Sequence, residues 1–563
     1  MADSNFKPTQ WWQTGVVYQV YPRSFQDTDG DGVGDLRGII ARLDYFRSLG
    51  VDAIWISPFY PSPMADFGYD VADYTDVDPL FGTLADFDEL LAEAHKRGLR
   101  VVLDFVPNHT SDLHAWFLES RSSRDSAKRD WYVWHDAPPA GDDWKPAAER
   151  LPNNWQSHFG GSAWAWDDRT EQFYLHSFLR QQPDLNWRNP AVRLAMYDAM
   201  KFWLDRGVDG FRMDVLWLLT KDEFFRNDQQ NPQDPNSLLR TATANQPETH
   251  EIVAEMRKLL DSYGDALKPD EPNVRGVSNR VLIGEIYLPL PELVSYYGAS
   301  SEDAKQDALP QLSGANLPFN FHLIQTRWEA SAIADVINEY ERVLPQGAWP
   351  NYVLGNHDQK RLATRIGKQQ ARAAAMLLLT LRGTPTLYYG DELGMEDVPI
   401  TPAQVKDPAA KNDPAAGRDP ERAPMLWVPA ENAGFTFPDV KPWLPIEREY
   451  ETKNAAVLSR DPKSIFTLYR TLLHYRRTYD TLHVGGLSDV RAEGSVLRYK
   501  RTTPVDGEST DFQVLLNLGS EIATVQCAKG KVLVTTLLDG AGAEVEGDVT
   551  LEAGEGLLIA LED

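Results

Sequence analysis

The stretch RVVLDFVPNH (residues 100–109) joins a short apolar run to Asp, Asn and His side chains. Seven further apolar runs, mostly rich in β-branched or aromatic residues, have the length of buried parallel strands. They are VVYQVY (16–21), DAIWIS (52–57), GFRMDV (210–215), VLIGEIY (281–287), LPFNFH (317–322), YVLGNH (352–357) and TPTLYYG (384–390). Between runs lie helix-like segments, such as 84–98 and 189–207, that end on a capping glycine. Eight such units in series predict a (β/α)8 TIM barrel.

Two regions break this alternation. Residues 108–186 are rich in Trp, Pro, Gly and Asp and are too long for a loop, so we interpret them as an inserted subdomain B after the third strand. From 486 to 563 the pattern changes to alternating strands and turns, which predicts a C-terminal antiparallel β-sandwich domain. The barrel is then expected in residues 1–107 and 187–485. A Pro- and Asp-rich stretch, 397–447, is expected to cover the mouth of the barrel.

Composition narrows the classes of function. The chain has 563 residues and a formal charge of −27, which disfavours binding to nucleic acid and to anionic membranes. Cys527 is its only cysteine, so neither an intramolecular disulfide nor a cysteine-based zinc site is expected. The first residues show no signal-peptide pattern, and no long apolar run indicates a membrane span. We expect a cytoplasmic protein, monomeric or a small homo-oligomer, with a small-molecule substrate.

Carboxylates follow three of the predicted strands: Asp214, Glu285 and Asp358. In a barrel the carboxyl ends of the strands share one rim, so these side chains are expected to meet. A single Asp at a strand end is often only a helix N-cap, but three on one rim favour a catalytic site. Paired carboxylates are what glycosidic cleavage with retention requires. We expect Arg212 to lower the pKa of Asp214, and the neighbouring carboxylates to raise that of Glu285.

These residues lie in segments similar to the four signature segments of glycoside hydrolase family 13, the α-amylase family. The segments are DFVPNH (104–109), GFRMD (210–214), GEIY (284–287) and VLGNHD (353–358). QPDLNW (182–187) and GRDPERAPMLW (417–427) resemble the oligo-1,6-glucosidase and α-glucosidase branch. The resemblance implies that Asp214 is the nucleophile, Glu285 the general acid/base, and Asp358 the carboxylate that distorts or stabilises the substrate.

The same resemblance implies a set of residues that bind the terminal glucose. Tyr69 and Asp70 match a stacking and a binding residue, and Phe159 and Phe178 resemble aromatic walls, although Phe178 also suits a packing role. The polar members are His109, Gln182, Arg212, His357 and Arg418.

The segment after the nucleophile carries a further indication. Endo-acting amylases commonly have Lys-His three and four residues after the nucleophile, where this chain has Trp217 and Leu218. That difference favours a closed pocket for short substrates. Val215, directly after the nucleophile, resembles the members that prefer α-1,6 bonds.

The segment DTDGDGVGD (27–35) alternates carboxylates with glycines and resembles the first half of an EF-hand loop. Its twelfth position is Gly38 instead of Glu, so a calcium switch is not expected. The resemblance to the oligo-1,6-glucosidase branch implies a structural Ca²⁺, or Mg²⁺, away from the catalytic residues; a solvated acidic turn is the alternative. The predicted ligands are Asp27, Asp29, Asp31, the Val33 carbonyl and Asp35.

The leading hypothesis is a retaining, exo-acting α-glucosidase, with no organic cofactor, that hydrolyses terminal α-1,6 or α-1,4 glucosyl residues of short oligosaccharides. A second hypothesis keeps the chemistry but changes the substrate or acceptor: a transglycosylase, an isomerase, or a trehalose- or sucrose-hydrolysing enzyme. A third is a barrel without activity that serves only in binding. The three carboxylates argue against the third.

Overall fold

A computed structural model describes residues 10–562 except 141–144, 235–236, 266, 268–278, 300–311, 412–413 and 504–509. The amino-terminal residues 1–9, which concern the prediction about a signal peptide, lie outside the described residues. The strands are β1 (Val17–Val20), β2 (Ala53–Ile56), β3 (Arg100–Phe105), β4 (Trp134–His135), β5 (Trp164–Asp167), β6 (Gln172–Leu175), β7 (Gly210–Met213), β8 (Gln229–Gln230), β9 (Leu238–Leu239), β10 (Val281–Gly284), β11 (Leu317–Pro318), β12 (Asn351–Val353), β13 (Thr384–Tyr388), β14 (Gly486–Glu493), β15 (Val496–Thr502), β16 (Phe512–Asn517), β17 (Ala523–Thr535), β18 (Glu544–Leu551) and β19 (Gly556–Leu561).

The helices alternate with these strands through the first part of the chain. They are α1 (Trp11–Thr14), α2 (Leu36–Ala41), α3 (Leu43–Leu49), α4 (Leu84–Lys96), α5 (Ala115–Ser120), α6 (Pro190–Arg206), α7 (Pro247–Asp261), α8 (Leu290–Ser295), α9 (His322–Gln325), α10 (Ala330–Val343), α11 (Leu362–Ile366), α12 (Lys368–Thr380), α13 (Ala455–Leu458), α14 (Ile465–Thr478) and α15 (Asp480–His483). The predicted helix 189–207 is α6: Asn189 caps its first turn, and Gly207 ends it in the left-handed conformation.

Eight parallel strands form the barrel, in the order β11-β10-β7-β3-β2-β1-β13-β12. Each of the eight predicted runs overlaps one of them, so the predicted (β/α)8 barrel is confirmed. The seam between β11 and β12 is bridged by a side chain. The Nδ2 amide of Asn351 donates to the carbonyl of Pro318 (2.7 Å), and its Oδ1 accepts from the N–H of Asn320 (3.0 Å).

The barrel strands are buried on both faces. One apolar cluster fills the interior and includes Val17, Trp55, Val102 and Ile283. A second, larger cluster joins the outer faces of the strands to the helices. Burial on both faces explains why the runs read as continuously apolar rather than alternating.

Two smaller sheets flank the barrel. Between β3 and α6, subdomain B contains an antiparallel sheet in the order β4-β6-β5. After α15, the last six strands form one antiparallel sheet, β14-β15-β16-β19-β17-β18. The strands that we expected in a sandwich are thus hydrogen-bonded in a single sheet, because the 13-residue β17 pairs with both β18 and β19. Within the described residues, no helix combines the length and apolar character needed to cross a bilayer.

Candidate active site

The ends of β3, β7 and β10 bring charged side chains to one rim of the barrel. The sheet register places Asp104 opposite Arg212. Beyond the strands, the N–H groups of Asp214 and Glu285 continue the ladder, each donating to a carbonyl of the neighbouring strand (2.8 and 2.9 Å). Asp214 and Glu285, 71 residues apart in sequence, therefore lie on adjacent strand ends, and both line one pocket together with Asp358.

Arg212 lies beneath these carboxylates. Its Nη1 donates to Asp104 (3.0 Å) and to Asp214 (2.8 Å), and its Nη2 donates to Glu285. The side chain is fully buried and does not reach the pocket wall. Both Nη groups of Arg212 thus donate to the carboxylates and hold them in place, and its role in binding sugar hydroxyls stays a prediction.

The pKa of Asp214 is raised well above its usual value. Burial is the main cause, and the charge of Glu285 and a hydrogen bond to it add to the effect, whereas Arg212 opposes it. We expected Arg212 to lower this pKa. Its single positive charge is shared among three carboxylates, so it does not compensate the burial and mutual repulsion of the group. Burial likewise raises the pKa of Asp104, to about 6.

Val215 shapes the turn between the two carboxylates. Its φ of 38° lies in the left-handed region, which is costly for a β-branched residue. This conformation accompanies a hydrogen bond from the Val215 N–H to the carboxylate of Glu285 (3.1 Å). The strained residue thus ties the segment after Asp214 to Glu285.

Asp358 lines the same pocket and is surrounded by positive charges. Its Oδ1 accepts hydrogen bonds from Arg418 (3.0 Å) and Arg422 (2.9 Å). Burial raises its pKa, but His357 and the two arginines outweigh burial and hold the pKa of Asp358 below its usual range. Asp358 is therefore held as an anion. Both arginines come from the stretch 397–447, so this stretch reaches the pocket at the barrel mouth.

The pocket has a volume of about 380 Å³ and brings together most of the predicted binding residues. Those that line it are Tyr69, His109, Phe159, Phe178, Gln182, His357 and Arg418. Tyr69 stacks on His357, with ring centroids 5.3 Å apart, and its hydroxyl is 2.7 Å from the Nε2 of His357. Burial lowers the pKa of His109 to about 4, so this ring is neutral near pH 7. Phe178 packs edge-on against Phe159 and also faces the pocket, so the packing and binding interpretations are compatible.

Asp70 does not line the pocket. Its two carboxylate oxygens accept hydrogen bonds from the backbone N–H groups of Ala65 (2.8 Å) and Asp66 (2.9 Å). Asp70 therefore stabilises the backbone of the loop that carries Asp66. Asp66, four residues earlier, faces the pocket and is contacted by Arg418 (2.8 Å) and Gln182 (3.2 Å). Asp70 was predicted to contact the substrate, but Asp66 is the carboxylate that lines the pocket.

This correction predicts different defects for two Asp→Asn changes. Asp66→Asn is expected to lower kcat/KM at least about 10-fold with little change in Tm, because it removes a pocket carboxylate. Asp70→Asn is expected to lower Tm and to leave kcat/KM almost unchanged, since an amide NH₂ would face a backbone N–H (about 1–3 kcal/mol). Steady-state kinetics and thermal unfolding of both variants test this. A loss of kcat/KM in Asp70→Asn but not in Asp66→Asn would mean that Asp70 is the residue that binds the substrate.

Several pocket residues were not among our predicted ligands. His158, Trp217, Tyr287 and Gln359 line the pocket, and Arg422 holds Asp358. Tyr287 lies two residues after Glu285, and Gln359 directly follows Asp358. Their proximity in sequence to the predicted catalytic residues could have identified them. His158 is in a loop of subdomain B without regular structure, and nothing in its sequence context indicated its position.

The acidic loop 27–35 lies after β1. Asp27, Asp29 and Asp35 each offer a carboxylate oxygen, and these oxygens lie within 4.8 Å of one another. Asp35 also caps α2 through the N–H of Gly38 (2.7 Å). Asp31 is outside this group, and its carboxylate accepts the N–H of Val33 (2.7 Å). The structure thus brings together three of the four predicted Asp ligands.

Comparison with known proteins agrees with this geometry. Residues 19–485 match the family described as the catalytic domain of α-amylase. A probable α-glucosidase of Rhizobium meliloti (strain 1021) is 40% identical over 534 residues, 91% of this chain and 90% of its own. An oligo-1,6-glucosidase of Heyndrickxia coagulans is 39% identical, covering 85% and 87%. The crystal structure of an α-glucosyl transfer enzyme, XgtA, superposes with a TM-score of 0.85 at 38% identity, covering 98% and 100%. The chain belongs to the α-amylase family, glycoside hydrolase family 13, and is a glycoside hydrolase of the α-glucosidase type.

Proposed function

We propose that this enzyme is a retaining α-glucosidase that releases the terminal, non-reducing glucose of short α-1,6- or α-1,4-linked oligosaccharides. The observation that carries the proposal is the shared guanidinium: Nη1 of Arg212 holds Asp214, and Nη2 holds Glu285. One guanidinium that contacts both carboxyls supports the shorter separation of retaining enzymes, about 5–5.5 Å, over the ~6.5–9.5 Å that inversion needs for a water molecule between them.

The geometry supports a division of roles between the two carboxyls. Asp214, once ionised, attacks the anomeric carbon of glucose, while Glu285 gives its proton to the leaving oxygen and the glycosidic bond breaks. Glu285 then removes a proton from water, which attacks the glucosyl–Asp214 ester and releases α-glucose. Asp358, kept anionic by two arginines, stabilises the positive charge that develops on the sugar ring.

The closed inner end of the pocket supports exo action. Arg418 bridges Asp358, Asp66 and Asp407, and its guanidinium lies 5.2 Å from the ring centre of Phe159. Within the described residues, this bridge supports a pocket that closes beyond the terminal glucose. A volume of about 380 Å³ is also near the small end of the range for ligand pockets, roughly 300–1,000 Å³.

Bond preference and acceptor are the finer parts of the proposal. Val215 supports a preference for α-1,6 bonds through its resemblance to members with that preference. The likeness to the α-glucosyl transfer enzyme supports a second candidate function, transfer of glucose to a sugar acceptor. Both functions use the same glucosyl-enzyme intermediate and differ only in whether water or a hydroxyl group of an acceptor attacks it.

NMR spectra of products from maltose, isomaltose, trehalose and sucrose test the proposal. We expect α-glucose as the first product, with isomaltose cleaved faster than maltose. New glucosides that accumulate at high substrate concentration would favour transfer. Initial release of β-glucose would contradict retention, and an absence of any cleavage would contradict the proposed substrate class.

We further propose that the loop 27–35 holds a structural Ca²⁺, or Mg²⁺. Three carboxylates on a glycine-rich turn suit a hard cation. A second acidic group consists of Glu396, Glu447 and Glu449. It is less suited to bind a cation, because Lys368 and Lys453 form ion pairs with its carboxylates. The predicted Asp31 and Val33 ligands remain part of this proposal, because the bond between them uses only the N–H of Val33 and Oδ1 of Asp31 and does not involve the Val33 carbonyl or Oδ2 of Asp31.

Asp29→Asn is the variant that tests the metal site. Asp29 is exposed and accepts only a long hydrogen bond from the N–H of Asp31 (3.3 Å), so the change costs the fold little. Isothermal titration of chelator-treated wild type is expected to show Ca²⁺ binding, and Asp29→Asn to weaken it at least about 10-fold. At 100 times Kd the ion should stabilise the wild type by about 2.7 kcal/mol. Asp31→Asn is the control and should weaken binding less. Lack of binding of either ion by the wild type would contradict the proposal.

A further inference from the structure

Reciprocal hydrogen bonds fix the backbone of the stretch 397–447 where it delivers Arg418 to the pocket. The Oδ2 atom of Asp419 accepts the N–H groups of Lys406 (2.6 Å) and Asp407 (3.0 Å). In the opposite direction, the Oδ2 atom of Asp407 accepts the N–H of Arg418 (2.6 Å). Lys406, Asp407 and Arg418 belong to no helix or strand, so these side-chain bonds take the place of a regular element.

Asp407 also holds the guanidinium of Arg418. Its Oδ2 accepts a hydrogen bond from Nε (2.9 Å), and its Oδ1 accepts one from Nη2 (3.0 Å). Asp407 is fully buried. Burial raises its pKa, but the hydrogen bonds and the charge of Arg418 outweigh burial and keep the pKa of Asp407 below its usual range. Two parallel bonds to a planar guanidinium fix its orientation as well as its position.

The remaining donors of this guanidinium are directed at the pocket. Nη1 donates to Asp358 (3.0 Å), and Nη2 also donates to Asp66 (2.8 Å). Asp407 is not among the residues of the described chain that line the pocket. Any influence of Asp407 on the sugar therefore passes through Arg418. Without Asp407, the long side chain of Arg418 would regain rotamer freedom.

We propose that Asp407 is a positioning residue for glycoside hydrolysis: it orients Arg418, and Arg418 in turn fixes Asp358 beside the sugar ring. The proposal rests on the proposed function, in which Asp358 stabilises positive charge that develops on the ring. A charge that is already in place stabilises a transition state better than one that must reorient during the reaction. The effect of Asp407 therefore belongs to the charged transition state and much less to the binding of an uncharged sugar.

Asp407→Asn tests this assignment, because it keeps the shape of the side chain and turns one oxygen into an NH₂ group that faces a donor of Arg418. We expect kcat for 4-nitrophenyl α-glucoside to fall about 10-fold, with KM within about 2-fold of the wild type, as for a misplaced catalytic group. 1-Deoxynojirimycin, whose ring nitrogen carries a positive charge, should bind about 10-fold more weakly, and glucose at most about 3-fold more weakly. Unchanged kcat, or equal losses of affinity for the two ligands, would overturn the proposal.

Asp407→Ser is a second variant, smaller and also uncharged, and should show the same pattern. Thermal unfolding of both variants establishes that the kinetics are those of folded enzyme. If neither variant folded, the role of Asp407 would be structural, which would also overturn the proposal.

A double-mutant cycle with Arg418→Gln tests whether Asp407 acts through Arg418. Once Arg418 is removed, Asp407 has no guanidinium to orient, so the double variant should lose no more kcat/KM than Arg418→Gln alone. Losses that multiplied would mean that Asp407 acts by another route and would contradict the proposal.

Asp167→Asn is the matched control. Asp167 is also a buried carboxylate bonded to an arginine, Arg121 (2.7 Å), but the pair lies in subdomain B outside the pocket. This variant should keep kcat and the affinity for both ligands within about 2-fold of the wild type, whatever its Tm, because the pair is remote from the sugar. A wild type that cleaves neither isomaltose nor maltose would contradict the proposed function, whereas the two ligand titrations test Asp407 without turnover.

Discussion

Asp214→Asn is expected to lower kcat for isomaltose and for 4-nitrophenyl α-glucoside on the order of 10⁴-fold or more, as loss of a covalent nucleophile does. The amide can still accept the hydrogen bond that Arg212 gives to Asp214 (2.8 Å), so the fold should persist. Steady-state kinetics with both substrates, together with thermal unfolding, measure the two effects separately. An intact rate on the aryl glucoside would contradict the role of Asp214.

Replacing Asp214 with the smaller alanine identifies the face of the sugar ring on which the nucleophile acts. In Asp214→Ala, azide can enter the vacated space and attack the anomeric carbon, which would yield β-glucosyl azide. Asp222→Asn is the matched control: its carboxylate bonds Arg226, 72% of whose side chain is exposed, and it should keep nearly full activity. Rescue that gave α-glucosyl azide would place the missing group on the other face and so contradict the assignment.

Glu285→Gln is expected to have the second-largest effect. Loss of a general acid should lower kcat/KM for isomaltose about 10²- to 10⁴-fold. The loss should be far smaller for α-glucosyl fluoride, because fluoride departs without a proton. With azide the variant should release α-glucosyl azide, since azide then takes the place of the activated water. Similar losses for both substrates would contradict a role in protonating the leaving group.

The pH dependence of this variant provides an independent check. The charge of Glu285 raises the pKa of Asp214, and the neutral amide removes that contribution. Wild-type activity falls as pH drops through the raised pKa, because the nucleophile becomes protonated. In Glu285→Gln the acid limb of kcat/KM should therefore move to lower pH. An acid limb that stayed in place would mean that another group controls it.

The barrel could be predicted from sequence because its strands are buried on both faces, which leaves a plain apolar run for each. Asp214, Glu285 and Asp358 could be placed because each directly follows such a run, and a barrel brings strand ends together. Loop residues carry no equivalent constraint. Asp66 and Asp70 are four residues apart in one irregular segment, and only the hydrogen bonds of Asp70 to the backbone show which of them faces the pocket.

The partners of the charged side chains could not be predicted from the sequence either. Arg212 is two residues from Asp214, which suggested an ion pair between these two residues alone. The register of the barrel strands also brings Arg212 into contact with Asp104 and Glu285. Its effect on any one carboxyl is correspondingly diluted. In the acidic loop, the alternation of Asp and Gly could not show that Asp31 would turn to the N–H of Val33. Both differences arise from contacts that only the folded chain defines.

The seam at Asn351 has a consequence for the alignment of the reacting groups. Glu285 follows β10 and Asp358 follows β12, so these two carboxylates lie on opposite sides of the β11–β12 junction, which the side-chain amide of Asn351 bridges. Asp214 and Glu285, by contrast, are spaced by a main-chain ladder between adjacent strands. Breathing of the barrel, detectable as faster amide hydrogen exchange next to the seam, would leave the nucleophile and acid in register. It would change only their distance from Asp358.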